Sequence, residues 1–119
     1  MNILIADNLG IYRFGLKAII YDVWTDALVD EVSNFDEMME SIFEKNFDLL
    51  VIDTEMQGNE KLESFICQAV NYTRIIIVSE HQHTNTRVKH LLNIGADALL
   101  SKSTSMAEVI NTLQLIQPI

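Results

Sequence analysis

The 119 residues contain one cysteine, one proline and four glycines. A lone thiol at Cys67 cannot form an internal disulfide, which excludes a disulfide-stapled secreted scaffold and suits a reducing cytoplasm. It falls in an amphipathic helical pattern, where a buried or half-buried thiol is expected. With Pro118 as the only proline, loop punctuation is sparse, and neither a linker nor a low-complexity segment divides the chain. No apolar stretch approaches the ~20 residues needed to span a bilayer. The first apolar run begins at Ile3, leaving no room ahead of it for a secretory signal. Basic residues are also scarce. Eight against 17 acidic residues give a net charge of −9, and such a surface repels nucleic-acid phosphates. Acidic residues gathered at a cation site would instead suit Mg²⁺.

What is present is the composition of a folded domain. The hydrophobic fraction is 49% and the charged fraction 21%, and the length suits one domain around one core. Short aliphatic runs alternate with helical periodicity. The runs are Ile3-Leu4-Ile5-Ala6, Leu49-Leu50-Val51-Ile52, Ile75-Ile76-Ile77-Val78 and Ala98-Leu99-Leu100-Ser101, with a weaker edge-strand run at 27–32. Between them, Leu9, Tyr12, Leu16, Ile19 and Ile20 share one helical face. Phe35, Met38, Met39, Ile42 and Phe43 follow at i, i+3, i+4, i+7 and i+8, and Leu62, Phe65, Ile66, Ala69 and Val70 repeat that spacing. Val88, Leu91 and Leu92 mark a shorter helix that Gly95 is placed to stop. A capping box at Ser105-Met106-Ala107-Glu108 opens the last helix. Its buried face is Met106, Val109, Ile110, Leu113 and Ile116, and Pro118 ends it.

Five strand–helix units with continuous aliphatic strands predict an α/β fold: a doubly wound, five-stranded parallel sheet with five flanking helices. The flavodoxin-like order 2-1-3-4-5 sets the first and third strands side by side. Asp7 and Asp53 then become neighbours, because each follows the C-terminal end of a strand. Ser79 and Lys102 close the fourth and fifth strands on the same rim. Two carboxylates, a hydroxyl and an ammonium at one rim suit Mg²⁺-assisted phosphoryl chemistry. Singly, each has a plainer role as a helix cap, turn former or solvated surface group.

In order and placement, Ile5-Ala6-Asp7-Asn8, Val51-Ile52-Asp53-Thr54-Glu55-Met56-Gln57-Gly58, Val78-Ser79 and Ser101-Lys102 resemble the receiver domain of bacterial two-component response regulators, over essentially the whole chain. Gly95-Ala96-Asp97-Ala98-Leu99-Leu100-Ser101-Lys102 and Arg13-Phe14-Gly15-Leu16 look most like the NarL/FixJ-type subfamily. The resemblance implies that Asp53 is the phosphoacceptor for a sensor histidine kinase. It implies Mg²⁺ held by Asp7, Asp53 and the backbone carbonyl of Glu55, with Asn8 at the place of a second acid. Ser79 and Lys102 would bind the phosphoryl group, and the loops after the fourth and fifth strands would rearrange to control transcription. A receiver is not an enzyme beyond its own phosphorylation and dephosphorylation. Most relatives carry a C-terminal LuxR-type helix-turn-helix, which would make any DNA contact. A homodimer through helix faces is a further implication.

Several positions depart from the receiver pattern. Asn8 offers an amide oxygen without formal charge, and Glu80 replaces the usual small residue after the switch hydroxyl. Gln57 stands for a proline and Leu99 for an aromatic, while Ser103 follows the lysine. Two readings therefore stand: a phosphorylation switch, and a degenerate receiver acting as a phosphorylation-independent interaction or dimerisation module. A small Mg²⁺ phosphatase or flavin carrier is a third class, opposed by the lack of a cap domain and of a glycine-rich phosphate loop. His81, His83 and His90 lack the spacing and cysteine partners of a zinc site and read as solvated. The methionines read as core packing. The segment 1–119 is expected to be a single receiver domain, and the ending Gln117-Pro118-Ile119 resembles a domain boundary.

Overall fold

The computed structural model describes residues 1–80 and 86–116. Five strands, β1 (Asn2–Ala6), β2 (Leu28–Val32), β3 (Leu49–Asp53), β4 (Arg74–Ser79) and β5 (Ala98–Ser101), form one parallel sheet in the order β2-β1-β3-β4-β5. Helices α1 (Gly10–Val23), α2 (Phe35–Glu44), α3 (Leu62–Ala69), α4 (Thr86–Asn93) and α5 (Met106–Ile116) connect and flank it, with a short 3₁₀ turn at Asn59–Lys61. This is the predicted doubly wound fold.

Alternation along the strands divides the core into two layers. Ile3, Ile5, Leu49, Val51, Ile76, Val78 and Leu100 pack with Leu16, Ile20, Val109 and Leu113 of α1 and α5. Leu4, Ala6, Leu50, Ile52, Ile75 and Ile77 pack with Phe35, Met38, Leu62, Ile66, Val88 and Leu91 of α2, α3 and α4. Because both faces are covered, β3 has no solvent side, and all five of its residues are buried. The edge strand β2 carries Asp30 and Glu31 toward Lys45 and Lys17, at 3.1 and 3.3 Å. Charges of this kind protect a sheet edge from further pairing.

Helix ends are closed by local hydrogen bonds, unforeseen at α2 and anticipated at Ser105 and Gly95. Asn34 caps α2 by accepting from the Glu37 N–H at 2.9 Å, and Glu37 reaches back to the Ser33 N–H at 2.8 Å. Ser105 Oγ accepts from the Glu108 N–H at the start of α5. Gly95 ends α4 in a Schellman arrangement: its N–H bonds the Leu92 carbonyl, and the Ala96 N–H bonds that of Leu91. Its φ of +124° and the Val70 side chain 3.1 Å from where a Cβ would stand both require glycine.

Three expectations about burial fail. Phe43 is 85% exposed, because at i+8 it lies roughly 80° around the helix from Phe35, on the outer flank of the stripe. Met106 is 64% exposed; as the first residue of α5 it overhangs a groove shared with Ile11 and Gly15 of α1, where glycine supplies no cover. Cys67 is exposed, since the buried stripe of α3 is Leu62, Ile66 and Ala69 and the next residue after Ile66 turns outward. The methionine expectation holds for Met38 and Met56, which are buried. His90 is exposed on α4, whereas His81, His83 and Pro118 lie outside the described residues.

Candidate functional site

The sheet register places the two acids. Ala6 of β1 is opposite Ile52 of β3, so Asp7 and Asp53 are the next rung beyond the last pair of this ladder. Ser79 of β4 pairs with Ser101 of β5, and Lys102 follows one residue later. Local hydrogen bonds fix the turns that follow. The Asp7 N–H donates to the Val32 carbonyl, Thr54 N–H to Val78, and Lys102 N–H to Ser79.

Asp7 and Asp53 are each 1% exposed. The Lys102 ammonium reaches both, at 3.1 Å from Asp7 Oδ1 and 3.5 Å from Asp53 Oδ2. The Leu9 N–H donates to Asp7 Oδ1 at 2.8 Å, and the Glu55 N–H to Asp53 Oδ1 at 3.0 Å. Both are local turns in which an aspartate accepts from the residue two positions on. Asp7 Oδ2 is buried without a hydrogen-bond partner. A buried carboxylate oxygen left unpaired is costly unless a cation or water meets it.

Electrostatics at this rim are those of a cluster short of positive charge. One ammonium serves two carboxylates. Burial pushes the Asp53 carboxyl above the ordinary carboxylate range; the Glu55 N–H pulls it back, the Asp7 charge adds to the rise, and Lys102 opposes it. Tyr12 of α1 lies under the lysine, whose ammonium is 5.3 Å from the ring centroid, a cation–π distance. Burial, followed by the charges of Asp7 and Asp53, pushes the Tyr12 phenol up to about 12. Arg13, next on α1, donates to the Asp7 carbonyl and pairs with Glu31 of β2 at 3.1 Å.

The other anticipated residues divide between the site and its surroundings. Ser79 is fully buried at the end of β4. Asn8, Glu55 and Glu80 are exposed beside the acids and the hydroxyl in sequence. Leu99 is half-buried and packs against the α2–α4 layer. Sequence reasoning placed Tyr12 in the core only, and it missed Thr54, Asn59 and Arg87. Thr54 is buried, and its carbonyl accepts from Asn59 Nδ2 at 2.6 Å and Arg87 Nη1 at 3.3 Å. An arginine at a helix start gives no signal of such a contact.

The residues fit a hard divalent cation. The unpartnered Asp7 oxygen and the shortage of positive charge both call for one. Among the described residues, no three His, Cys, Asp or Glu side chains gather as a ligand group. Two buried carboxylates at one rim suit the oxygen ligation that hard divalent cations take.

The chain matches the model of the response regulator receiver domain over residues 3–114. No curated protein sequence matches it. Among solved structures, it resembles a response regulator from Burkholderia pseudomallei with a phosphorylated aspartic acid, calcium ion and citrate. That match has 22% identity and a TM-score of 0.74, covering 95% of this chain but 66% of that one. It also resembles a LuxR-family DNA-binding response regulator from Staphylococcus aureus, at 21% identity and TM-score 0.80, covering 97% of each chain. The signal receiver domain of NarL from Mycobacterium tuberculosis matches at 20% identity and TM-score 0.77, covering 95% and 92%. With a buried acid pair and its lysine at the strand ends of this sheet and a family match over almost the entire chain, the protein belongs to the response regulator receiver domain family of two-component signalling.

Proposed function

We propose that Asp53 is the phosphoacceptor and that the domain works as a phosphorylation switch. The observation that supports this most is the buried pairing of Asp53 with Asp7 through one lysine, at the C-terminal rim of the sheet. An Asp53 oxygen attacks the phosphorus of a kinase phosphohistidine. A P–O bond forms, the P–N bond breaks, and the electron pair returns to the imidazole nitrogen, which takes up a proton. The protein's contribution is alignment and charge. Asp7, Asp53 and the Glu55 carbonyl would hold Mg²⁺, with Asn8 beside them; the metal supplies charge neutralisation of the phosphoryl oxygens. Lys102, which bonds both acids, would pair with the phosphoryl group, and Ser79 would hydrogen-bond to it. The calcium ion and phosphorylated aspartic acid of the Burkholderia relative support the same chemistry here.

Phosphorylation places about −1.5 to −2 charges at this one point. Transcription control would then run through an output domain of the LuxR type, which alone would touch DNA; this chain corresponds to about two thirds of the Burkholderia protein's length. Self-phosphorylation by small donors and self-dephosphorylation are the extent of its catalysis. A homodimer would use the α1–α5 face, where Ile11, 85% exposed, and Met106, 64% exposed, line one groove. No described helix is long and apolar enough to cross a membrane, and kinase contact in the cytoplasm completes the reading.

The test is incubation with Mg²⁺ and acetyl phosphate. The mass of the protein should rise by one phosphoryl group, and Asp53→Ala should lose that gain. No gain at millimolar Mg²⁺, and no response to beryllofluoride, would leave the second reading, an interaction module independent of phosphorylation. What favours that alternative is the exposed Asn8 where a third acid would stand, together with Glu80 next to Ser79.

A further inference from the structure

A planar peptide links Asp53 to α4. The Thr54–Glu55 peptide donates its N–H to Asp53 Oδ1 at 3.0 Å, and its carbonyl accepts from Arg87 Nη1 at 3.3 Å. Partial double-bond character keeps the two ends of such a unit in one plane, so tilting one end tilts the other. Bonds made at both ends also polarise each other.

Arg87 stands at the second position of α4 and makes a wide set of contacts. Nη2 donates to the Asn59 carbonyl at 2.9 Å and to Glu63 Oε1 of α3 at 2.8 Å, and Nε reaches the same Glu63 oxygen at 3.2 Å. Asn59 Nδ2 shares the Thr54 carbonyl with it. Thr54 is itself buried and tied through its N–H to the Val78 carbonyl. The guanidinium therefore joins the residue after Asp53, the 3₁₀ turn, α3 and α4 at one point, using the rigid fork that lysine lacks.

Apolar packing alone joins β5 to this layer at Leu99. Leu99 packs its apolar side chain against the same layer as Val88 and Leu91 of α4. It has neither the flat edge nor the polar tip with which an aromatic could exchange partners. A coupling through polar contacts does not need them.

We propose that Arg87 is a positioning residue that couples the state of Asp53 to α4 through the Thr54–Glu55 peptide. The inference rests on Asp53 being the phosphoacceptor. Phosphorylation converts the Asp53 carboxylate into an acyl phosphate, which removes the formal charge from its carboxyl group and so weakens the bond it accepts from the Glu55 N–H. The peptide then reorients, and the carbonyl that Arg87 holds moves with it. By linkage, anything that shifts α4 through Arg87 alters the affinity of the Asp53 site by the same factor.

The experiment uses the ¹⁵N-labelled full chain with Mg²⁺ and beryllofluoride, following amide resonances at Asp53–Glu55 and across α4. In the unsubstituted protein both groups should shift. In Arg87→Lys and Glu63→Gln, the Asp53–Glu55 resonances should still shift at saturation, while those of α4 shift less than half as far. Beryllofluoride affinity should change severalfold. A merely structural arginine would displace the α4 resonances equally with and without ligand, and that outcome overturns the inference. So does an undiminished α4 response in both variants with the site saturated. If Arg87→Lys does not fold, Glu63→Gln, which removes the carboxylate that holds the guanidinium in place, carries the test alone with the same expectations. No response at Asp53–Glu55 in the unsubstituted protein overturns the phosphoacceptor reading and the coupling with it, a result distinct from a bound site with an indifferent α4.

Discussion

The Lys102 ammonium lies nearer to Asp7, at 3.1 Å, than to Asp53, at 3.5 Å. The lysine thus occupies the acid that would hold the metal as well as the acid that would receive the phosphoryl group. A cation arriving at Asp7 meets a like charge already there. Lys102→Met should therefore bind Mg²⁺ several-fold more tightly, measured by calorimetric titration. Without metal the same variant should lose about 2–4 kcal/mol of stability in urea unfolding, since two buried carboxylates lose their common partner. Unchanged metal affinity would mean that lysine and metal do not share Asp7.

Asn8→Asp is expected to act through the metal alone. Asn8 is exposed and beside Asp7, so an added carboxylate costs little desolvation. Mg²⁺ affinity should rise severalfold, to roughly tenfold, the scale of about 1.4 kcal/mol for one further charged ligand close to solvent. Equal affinities in titration would place Asn8 away from the metal.

Asp53 gives a pH dependence whose sign follows from its raised pKa. A carboxyl whose folded-state pKa lies above its unfolded value contributes stability below the unfolded value, near 3.9, and loses that contribution as pH rises through the folded value. At neutral pH, ionised Asp53 is therefore a cost to the metal-free fold. Asp53→Asn retains an acceptor for the Glu55 N–H and leaves Lys102 to Asp7. It should melt a few degrees higher, roughly 2–6 °C, at pH 7, with the advantage vanishing toward pH 4. Thermal melts across that range check it; a variant that melts lower at pH 7 refutes it.

Gly95→Ala should destabilise by about 2–3 kcal/mol, combining a disfavoured positive φ with overpacking. The methyl group would meet Val70 at 3.1 Å. Val70→Ala, added to it, should recover the packing part but not the backbone part. Denaturant midpoints of the two single variants and the double variant separate them.

Much of this fold is legible because its signals are local. Runs such as Ile75-Ile76-Ile77-Val78 are short, continuous and aliphatic, and strands buried on both faces have to read that way. Gly95 is legible for the same reason, as one residue needing one backbone state. The acid pair could be anticipated once the strand order was, since register alone makes Asp7 and Asp53 neighbours. What escaped depends on distance in sequence. Arg87 meets Thr54 across 33 positions, and nothing about an arginine at a helix start distinguishes it from a solvated one. Tyr12 was legible as a core-facing aromatic, but the ammonium above its ring comes from Lys102, just past β5. Phe43, Cys67 and Met106 show the limit of periodicity: it identifies the side of a helix that faces the sheet, not how far along or around it the cover extends.

The strands that carry the site differ in how firmly they are held. Asp7 and Asp53 extend from β1 and β3, each paired on both sides, while Lys102 extends from the four-residue edge strand β5, paired on one. Sheets open from their edges, and the central strands are the last to yield. The ammonium is therefore the most transient member of the trio. Fraying of β5 would withdraw it on a faster clock than any motion of the acids, leaving two carboxylates briefly without their counter-ion. Amide exchange along β5 would set the tempo at which the rim becomes most attractive to a passing cation.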